Sequence, residues 1–241
     1  MAAIVEIHAR RVWDSRGRPT VEAEVALEDG TLGRAIAPAG ASTGSGEARD
    51  KRDGGKSLRG LDVRHAVQSV NGEIRAALLG RDAAAQRDID NAMIALDGTP
   101  DKHRLGGNAL VAVSLACLQA AAASARMPLW RYLAGERRVA LPVPQIQIYG
   151  GGAHARGRVD IQDYMVVCPG AGSFAESLEW TAEVYYAAGA RLAKKGALGG
   201  VADEGGYWPS FKSNEEGVAE LVGAIEDAGF KPGGDIAIAL D

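Results

Sequence analysis

The sequence has few cysteines, few aromatic residues and no long hydrophobic run. Its two cysteines are too few for a disulfide framework, and both Cys117 and Cys168 lie in apolar stretches that favour buried thiols. No segment reaches the roughly 18 consecutive apolar residues of a membrane-spanning helix, and the early charged residues argue against a signal peptide or an anchor. We therefore expect a cytoplasmic location and no membrane partner.

Charge and common motifs are also sparse. The net charge of -4 and pI of about 5.7 give no reason to expect nucleic acid as a partner. The sequence contains no CxxC pair, HExxH, P-loop or GxSxG motif, which removes the commonest zinc, nucleotide and serine-hydrolase functions. A small anionic substrate remains compatible with this composition.

The first part of the chain has the pattern of an α+β domain. From Ile4 to about Pro38 apolar residues alternate with polar ones, which predicts an antiparallel meander of three strands. Residues 39–46 are small and polar and predict a surface loop, a linker or a lid. Helical spacing follows in residues 63–78 and 89–96, and residues 108–125 are apolar on nearly all sides, as in a buried helix.

The pattern changes around residues 137–144, where two prolines interrupt helical spacing. We place the domain boundary there, with domains 1–138 and 139–241. The second domain has strand patterns near residues 146–149, 164–167 and 235–240, the last predicted to be buried. Helices are expected after Ser173 and Ser213, which begin capping boxes. Alternating strands and helices predict a parallel α/β barrel, but such a barrel takes about 250 residues, so this one is incomplete.

Acidic residues stand at the ends of these apolar segments. Asp163 opens one strand, Glu204 lies in the DEGG motif of residues 203–206, and Asp241 follows the last strand. Because strand ends of a parallel barrel converge on one mouth, these carboxylates could share a cation or a substrate. Each also has a simpler explanation as a solvated turn or a charged chain end.

Eleven short motifs in one register resemble enolase, the glycolytic lyase. They are DSRG (14–17), PTVE (19–22), GASTG (40–44), RDG (52–54), LDGTP (96–100), LPVP (141–144), GGAHA (151–155), DIQ (160–162), DEGG (203–206), KSNEE (212–216) and ALD (239–241). Each could be chance alone, but their order and spacing across nearly the whole chain make the resemblance specific.

The resemblance implies an N-terminal α+β domain, then the first part of an enolase-type barrel. It also implies an Mg²⁺-dependent lyase that interconverts 2-phosphoglycerate with phosphoenolpyruvate and water, acting as a dimer or larger homo-oligomer. In the family register Glu204 is the general acid, and His154, Gln162 and Asp163 are substrate-binding. Asp241 and Ser42 are metal ligands, Ser42 through loop closure. From composition alone, Ser42 and His154 would be ordinary loop residues.

Three departures from the family pattern lie close to these residues. Enolases usually carry Gln-Glu where this chain has Gln162 and Asp163, and an Asn-Ile-Ile-Asn run where it has residues 147–150, Gln-Ile-Tyr-Gly. Asp is shorter than Glu by one carbon, roughly 1.5 Å, so Asp163 cannot simply take over the Glu role. Tyr207 and Trp208 also place bulk just after Glu204.

Enolases continue beyond this point with two more acidic metal ligands, the lysine base and basic substrate-binding residues. We therefore expect the 241-residue chain to be inactive alone. Three interpretations stay open. The chain is part of a divergent enolase, or a paralogue acting on a related phosphorylated or phosphonylated carboxylate, or a non-catalytic fragment that binds partners.

Overall fold

The computed structural model describes residues 2–40, 43–152, 159–202 and 204–241. The chain divides into two compact units, Met1–Arg138 and Val139–Asp241. Each unit has its own cluster of buried apolar side chains. The first unit is α+β and the second contains the strands and helices of a partial barrel.

The sheet of the first unit is the predicted antiparallel meander. Strands β1 (Ile4–Trp13), β2 (Pro19–Leu27) and β3 (Leu32–Ala37) lie in the order β1-β2-β3, and both pairings are antiparallel. Alternation positions one face against the core, where Val21, Ala23 and Val25 are fully buried. The antiparallel meander that the alternating pattern predicts is therefore confirmed.

Helices cover this sheet. They are α1 (Arg64–Ser69), α2 (Arg75–Leu78), α3 (Gln86–Asp97), α4 (Gly107–Ser124) and α5 (Leu129–Ala134), with a 3₁₀ turn at Ser57–Gly60 and a π-helical turn at Val70–Ile74 joining α1 to α2. By length and composition α4 could cross a membrane, but it is largely buried here. Gly33 of β3 allows its close approach, because a Cβ there would lie 2.2 Å from the Ala116 carbonyl oxygen.

The second unit has a sheet of three strands and two helices. Strands β4 (Gln145–Gly150), β5 (Asp163–Val167) and β6 (Ala237–Leu240) lie in the order β4-β5-β6, and helices α6 (Phe174–Lys194) and α7 (Asn214–Asp227) connect β5 to β6. Both pairings are antiparallel. The prediction of parallel neighbours is thus wrong for these strands. Because two helices rather than one connect β5 to β6, the chain enters β6 beside the last residue of β5. Strand β6 therefore runs antiparallel to β5.

Both helices of this unit begin at the predicted serine caps. Ser173 Oγ accepts a hydrogen bond from the Glu176 N–H at 3.1 Å, and Ser213 Oγ accepts one from the Glu216 N–H at 3.3 Å. The two helices are joined by ion pairs from Arg191 and Lys195 of the α6 end to Glu220 of α7. The two capping boxes explain why the starts of α6 and α7 were predictable.

Strand β6 is less buried than its composition suggests. Ile236, just before the strand, is fully buried, but Leu240 is 49% exposed. In the described part of the chain, β6 pairs only with β5, so one of its edges has no described strand beside it. The prediction of a buried strand is therefore wrong for Leu240.

Candidate active site

The antiparallel pairing brings three predicted site residues, Gln162, Asp163 and Asp241, to the same end of the strands, which we call the sheet edge. Gly150, at the end of β4, pairs with Asp163, at the start of β5. The Gln162 N–H donates to the Asp241 carbonyl at 2.8 Å, and the Asp241 N–H donates to the Asp163 carbonyl at 3.2 Å. In an all-parallel sheet Asp163 would lie at the opposite edge. The strand reversal, rather than parallel strand ends, brings these residues together.

Glu204 lies in a tight loop held against β4. The Gly205 N–H donates to the Ala202 carbonyl at 3.0 Å, and the Ala202 N–H donates to the Gly206 carbonyl at 2.7 Å. Gly205 has a φ of +94°, a conformation that glycine adopts readily. Tyr207, just after the loop, pairs in parallel with Tyr149 of β4. The loop therefore presents an exposed Glu204 beside the end of β4.

The bulk of Tyr207 is turned toward helix α6. Its ring stacks on Tyr185 with centroids 4.2 Å apart, and a Cβ on Gly189 would lie 2.4 Å from the Tyr207 hydroxyl oxygen. Tyr185 in turn donates from its hydroxyl to the Gly205 carbonyl at 2.9 Å. The side chains of Tyr207 and Tyr185 therefore support the Glu204 loop from the side of α6.

Gln147 of β4 links the two carboxylates. Its side-chain Nε2 donates to Asp163 Oδ1, and it lies 3.3 Å from Glu204 Oε2. Its Oε1 accepts the Gly206 N–H at 2.8 Å. Asp163, which is 6% exposed, also accepts a hydrogen bond from Gln162 Nε2 at 3.1 Å. One amide therefore joins the acid of the DEGG loop to the acid at the start of β5.

The sequence did not identify Gln147 as a site residue. It drew attention only because it stands where enolases usually have asparagine. A polar residue in an apolar strand, close before a run of glycines, was the available signal. Its partners come from segments far away in the chain, so no local pattern could name them.

Two fully buried tyrosines, Tyr149 of β4 and Tyr164 of β5, lie close to this edge. Burial raises the pKa of Tyr149 well above its ordinary value of 10.0, and the nearby Glu220 adds to this effect. Burial likewise raises the pKa of Tyr164, with further contributions from Asp160 and Glu215. Both phenols stay neutral at physiological pH, so neither adds charge to the site.

Two predicted site residues, Ser42 and His154, lie outside the described residues. Carboxylate oxygens such as those of Asp241 suit Mg²⁺ chemically. Within the described ranges, however, no three or more histidine, cysteine, aspartate or glutamate side chains are grouped to hold a metal ion. The described residues therefore do not make a complete metal site by themselves.

Comparison with known families accounts for both units. Residues 4–133 match the family model for the enolase N-terminal domain, and residues 138–241 match that for the enolase C-terminal TIM barrel domain. The chain belongs to the enolase family. The resemblance is confirmed, and so is the expected fold class, an α+β domain followed by a partial enolase-type barrel, although its described strands are antiparallel. Its second unit corresponds to part of an enolase barrel, and the family supports a lyase function of the enolase superfamily.

Proposed function

We propose that this enolase-family chain contributes to an enolase reaction, in which 2-phosphoglycerate and phosphoenolpyruvate plus water interconvert in cytoplasmic glycolysis. The observation that supports this most directly is the contact of Gln147 Nε2 with both the Asp163 and the Glu204 carboxylates. This contact supports the proposal because it joins the candidate acid Glu204 to the candidate substrate-binding residue Asp163. Homo-oligomers are the expected assembly.

In this reaction a proton leaves the carbon next to a carboxylate, and hydroxide leaves the neighbouring carbon. Hydroxide is a poor leaving group, so it needs a proton as the C–O bond breaks. Glu204 is the proposed donor, because it is exposed within a loop that several backbone hydrogen bonds hold. Gln162 and Asp163 are proposed to contact the substrate, together with His154. The base that accepts the carbon-bound proton is not assigned to any described residue.

The proposed cofactor is Mg²⁺, with Asp241 and Ser42 as ligands. When bound, Mg²⁺ would supply charge stabilisation to the dianionic enediolate that such chemistry forms. Mg²⁺ gives up its waters reluctantly, and the described residues offer it too few carboxylates. We accordingly expect no turnover from the isolated 241-residue polypeptide, and measurable turnover of pure material would contradict this part of the proposal.

The role of Glu204 is tested by Glu204→Gln in the complete protein, assayed with 2-phosphoglycerate and Mg²⁺. Loss of one acid-base group lowers turnover by about 10²–10⁴-fold. Glu215→Gln is a control, because Glu215 is an acid in the first turn of α7 that we place outside the site. Normal turnover of Glu204→Gln would rule out its role as the general acid.

A second candidate is a diverged paralogue that acts on a related phosphorylated or phosphonylated carboxylate. The shorter carboxylate of Asp163 and its contact with Gln147 favour this alternative. A panel assay of the complete protein separates the two, since a paralogue would prefer another substrate over 2-phosphoglycerate in kcat/KM. A chain inactive on every member of the panel would support the third alternative, a non-catalytic binding fragment.

A further inference from the structure

We infer that Gln147 is a positioning residue that compensates for the short carboxylate of Asp163, so that the two side chains form one length-matched pair. Both positions depart from the usual family pattern, and the two side chains are joined by a hydrogen bond. This inference deepens the proposed function and rests on it, because it concerns how the proposed acid Glu204 is held.

The orientation of the Gln147 amide is fixed by its surroundings. The Gly206 N–H can only donate, and it lies 2.8 Å from Gln147 Oε1, so that atom must be the carbonyl oxygen. The nitrogen Nε2 therefore faces Asp163 and Glu204, with one N–H available for each carboxylate. An amide in the opposite orientation would lose all three hydrogen bonds.

Side-chain length explains why glutamine suits this position. Aspartate places its carboxylate roughly 1.5 Å closer to its backbone than glutamate does, and glutamine reaches farther than asparagine by a similar distance. Strand β4 also has a register irregularity between Gln147 and Tyr149, a feature that redirects side chains near active sites. The longer amide of Gln147 therefore reaches the shorter acid of Asp163.

Gly206 provides space for the longer side chain, because a Cβ there would lie 2.5 Å from Gln147 Oε1. A Cβ on Gly150 would lie 2.7 Å from Ala202 Cβ, so a side chain there would press on the Glu204 loop. Its distance of 3.5 Å from Gln147 Nε2 is an ordinary contact.

The same contact restricts the orientation of the Glu204 carboxyl group. Because Gln147 Nε2 donates toward Oε2, that oxygen acts as an acceptor. Gln147 keeps the carboxyl group in one orientation without touching the substrate itself.

The test is a double-mutant cycle of Gln147→Asn and Asp163→Glu in the complete protein. Each single variant breaks the length match, so we expect kcat with 2-phosphoglycerate to fall by roughly 100-fold with KM little changed. The double variant restores an Asn-Glu pair and recovers kcat to within about tenfold of the wild type. Gln145→Asn is the matched control, since Gln145 is on the same strand and its Nε2 donates to Met165 Sδ at 3.4 Å, away from Asp163 and Glu204.

A second readout does not depend on the substrate. Amide hydrogen exchange of Gly206 is expected to accelerate by about tenfold or more in Gln147→Asn, because the shorter side chain no longer reaches the Gly206 N–H. Urea unfolding of the same four proteins is expected to show coupling of about threefold or more in the unfolding equilibrium constant.

The possible outcomes separate the proposed enolase function from the proposed role of Gln147. If the wild type does not turn over 2-phosphoglycerate but the exchange and unfolding results are as expected, the proposed function fails and the Gln147 linkage stands. If the wild type is active but the two substitutions are simply additive in kcat and in unfolding, the linkage is overturned. Unchanged Gly206 exchange in Gln147→Asn would also overturn it.

Discussion

The hydroxyl of Tyr185 donates a hydrogen bond to the carbonyl of Gly205 at 2.9 Å. Helix α6 thus holds the backbone next to Glu204. This bond connects α6 to the backbone beside the proposed acid.

Tyr185→Phe removes this hydrogen bond but keeps the aromatic stack with Tyr207. We expect the free energy of unfolding to fall by about 0.5–1.5 kcal/mol, the usual net value of one hydrogen bond. Turnover by the complete protein should fall as well, because Glu204 would sample more positions. Urea denaturation and steady-state kinetics measure the two effects. Tyr186→Phe, at the exposed neighbouring position, should change neither quantity.

Tyr149→Phe is expected to stabilise the protein. The Tyr149 hydroxyl is buried and has no hydrogen-bond partner among the described residues, and such a group costs about 1–3 kcal/mol. Its ring packs edge-on against Phe211 at 5.1 Å, a contact that phenylalanine retains. We therefore expect an increase of about 1 kcal/mol in the free energy of unfolding, measured by urea denaturation.

The matched comparison for that experiment is Tyr164→Phe. Tyr164 is equally buried, but its hydroxyl lies 3.3 Å from Asn214 Oδ1. Its loss should lower stability by about 1 kcal/mol. Equal effects of the two substitutions would contradict the assignment of an unpartnered hydroxyl to Tyr149.

Gly189→Ala is expected to disturb the Glu204 loop. Alanine usually stabilises a helix relative to glycine by about 1 kcal/mol. Here the new Cβ would lie 2.4 Å from the Tyr207 hydroxyl oxygen and 2.7 Å from its Cζ, so the ring must move. We expect a net loss of about 1–3 kcal/mol, as for other overpacked sites, with thermal unfolding as the measurement.

The control for this change is Gly72→Ala, in the π-helical turn of the first unit. A Cβ there meets no atom within 4 Å, so the substitution should be neutral or slightly stabilising. If both alanine variants behaved alike, steric contact with Tyr207 could not be the cause of the Gly189 effect.

Asp97 should make the first unit sensitive to acid. Burial by itself raises the pKa of Asp97, but hydrogen bonds from the Thr99 hydroxyl and the N–H groups of Leu105 and Thr99 outweigh it. The net pKa is below the ordinary value of 3.8. A carboxyl whose pKa is lowered by folding stabilises the protein fully above its unfolded pKa. That stabilisation is lost as the pH falls through the lower, folded value.

Asp97→Asn should therefore lower the free energy of unfolding by about 1–3 kcal/mol at pH 7. The difference between the variant and the wild type should shrink as the pH falls below 3.8, which urea denaturation across a pH series can follow. Asp88→Asn on the same helix is the control, because Asp88 is exposed and should change stability by less than about 0.5 kcal/mol. A constant Asp97→Asn difference at all pH values would refute the argument.

Local patterns predicted most of the elements. Alternation in residues 4–37 and the serine caps at Ser173 and Ser213 each depend on neighbouring residues, and the structure confirms them. The direction of β5 was predicted wrongly because strand periodicity does not depend on direction. Counting the two capped helices between β5 and β6 would have indicated the reversal.

The site was less predictable than the fold. Family motifs named Glu204, Gln162, Asp163 and Asp241, and these come close to one sheet edge. The part played by Gln147 depends on three segments that meet only in space, and on hydrogen bonds from side chain to side chain. No spacing along the chain carries that information.

The antiparallel order of the second sheet also sets the sequence in which it can form. Strands β4 and β5 are close in the chain, whereas the pairing of Tyr164 with Leu240 closes a loop that contains both α6 and α7. The entropy cost of closing a loop grows with its length, and long-range strand pairs form slowly. We expect the β4-β5 hairpin to fold early and β6 to add last, so that Asp241 reaches the edge only after the two helices have packed.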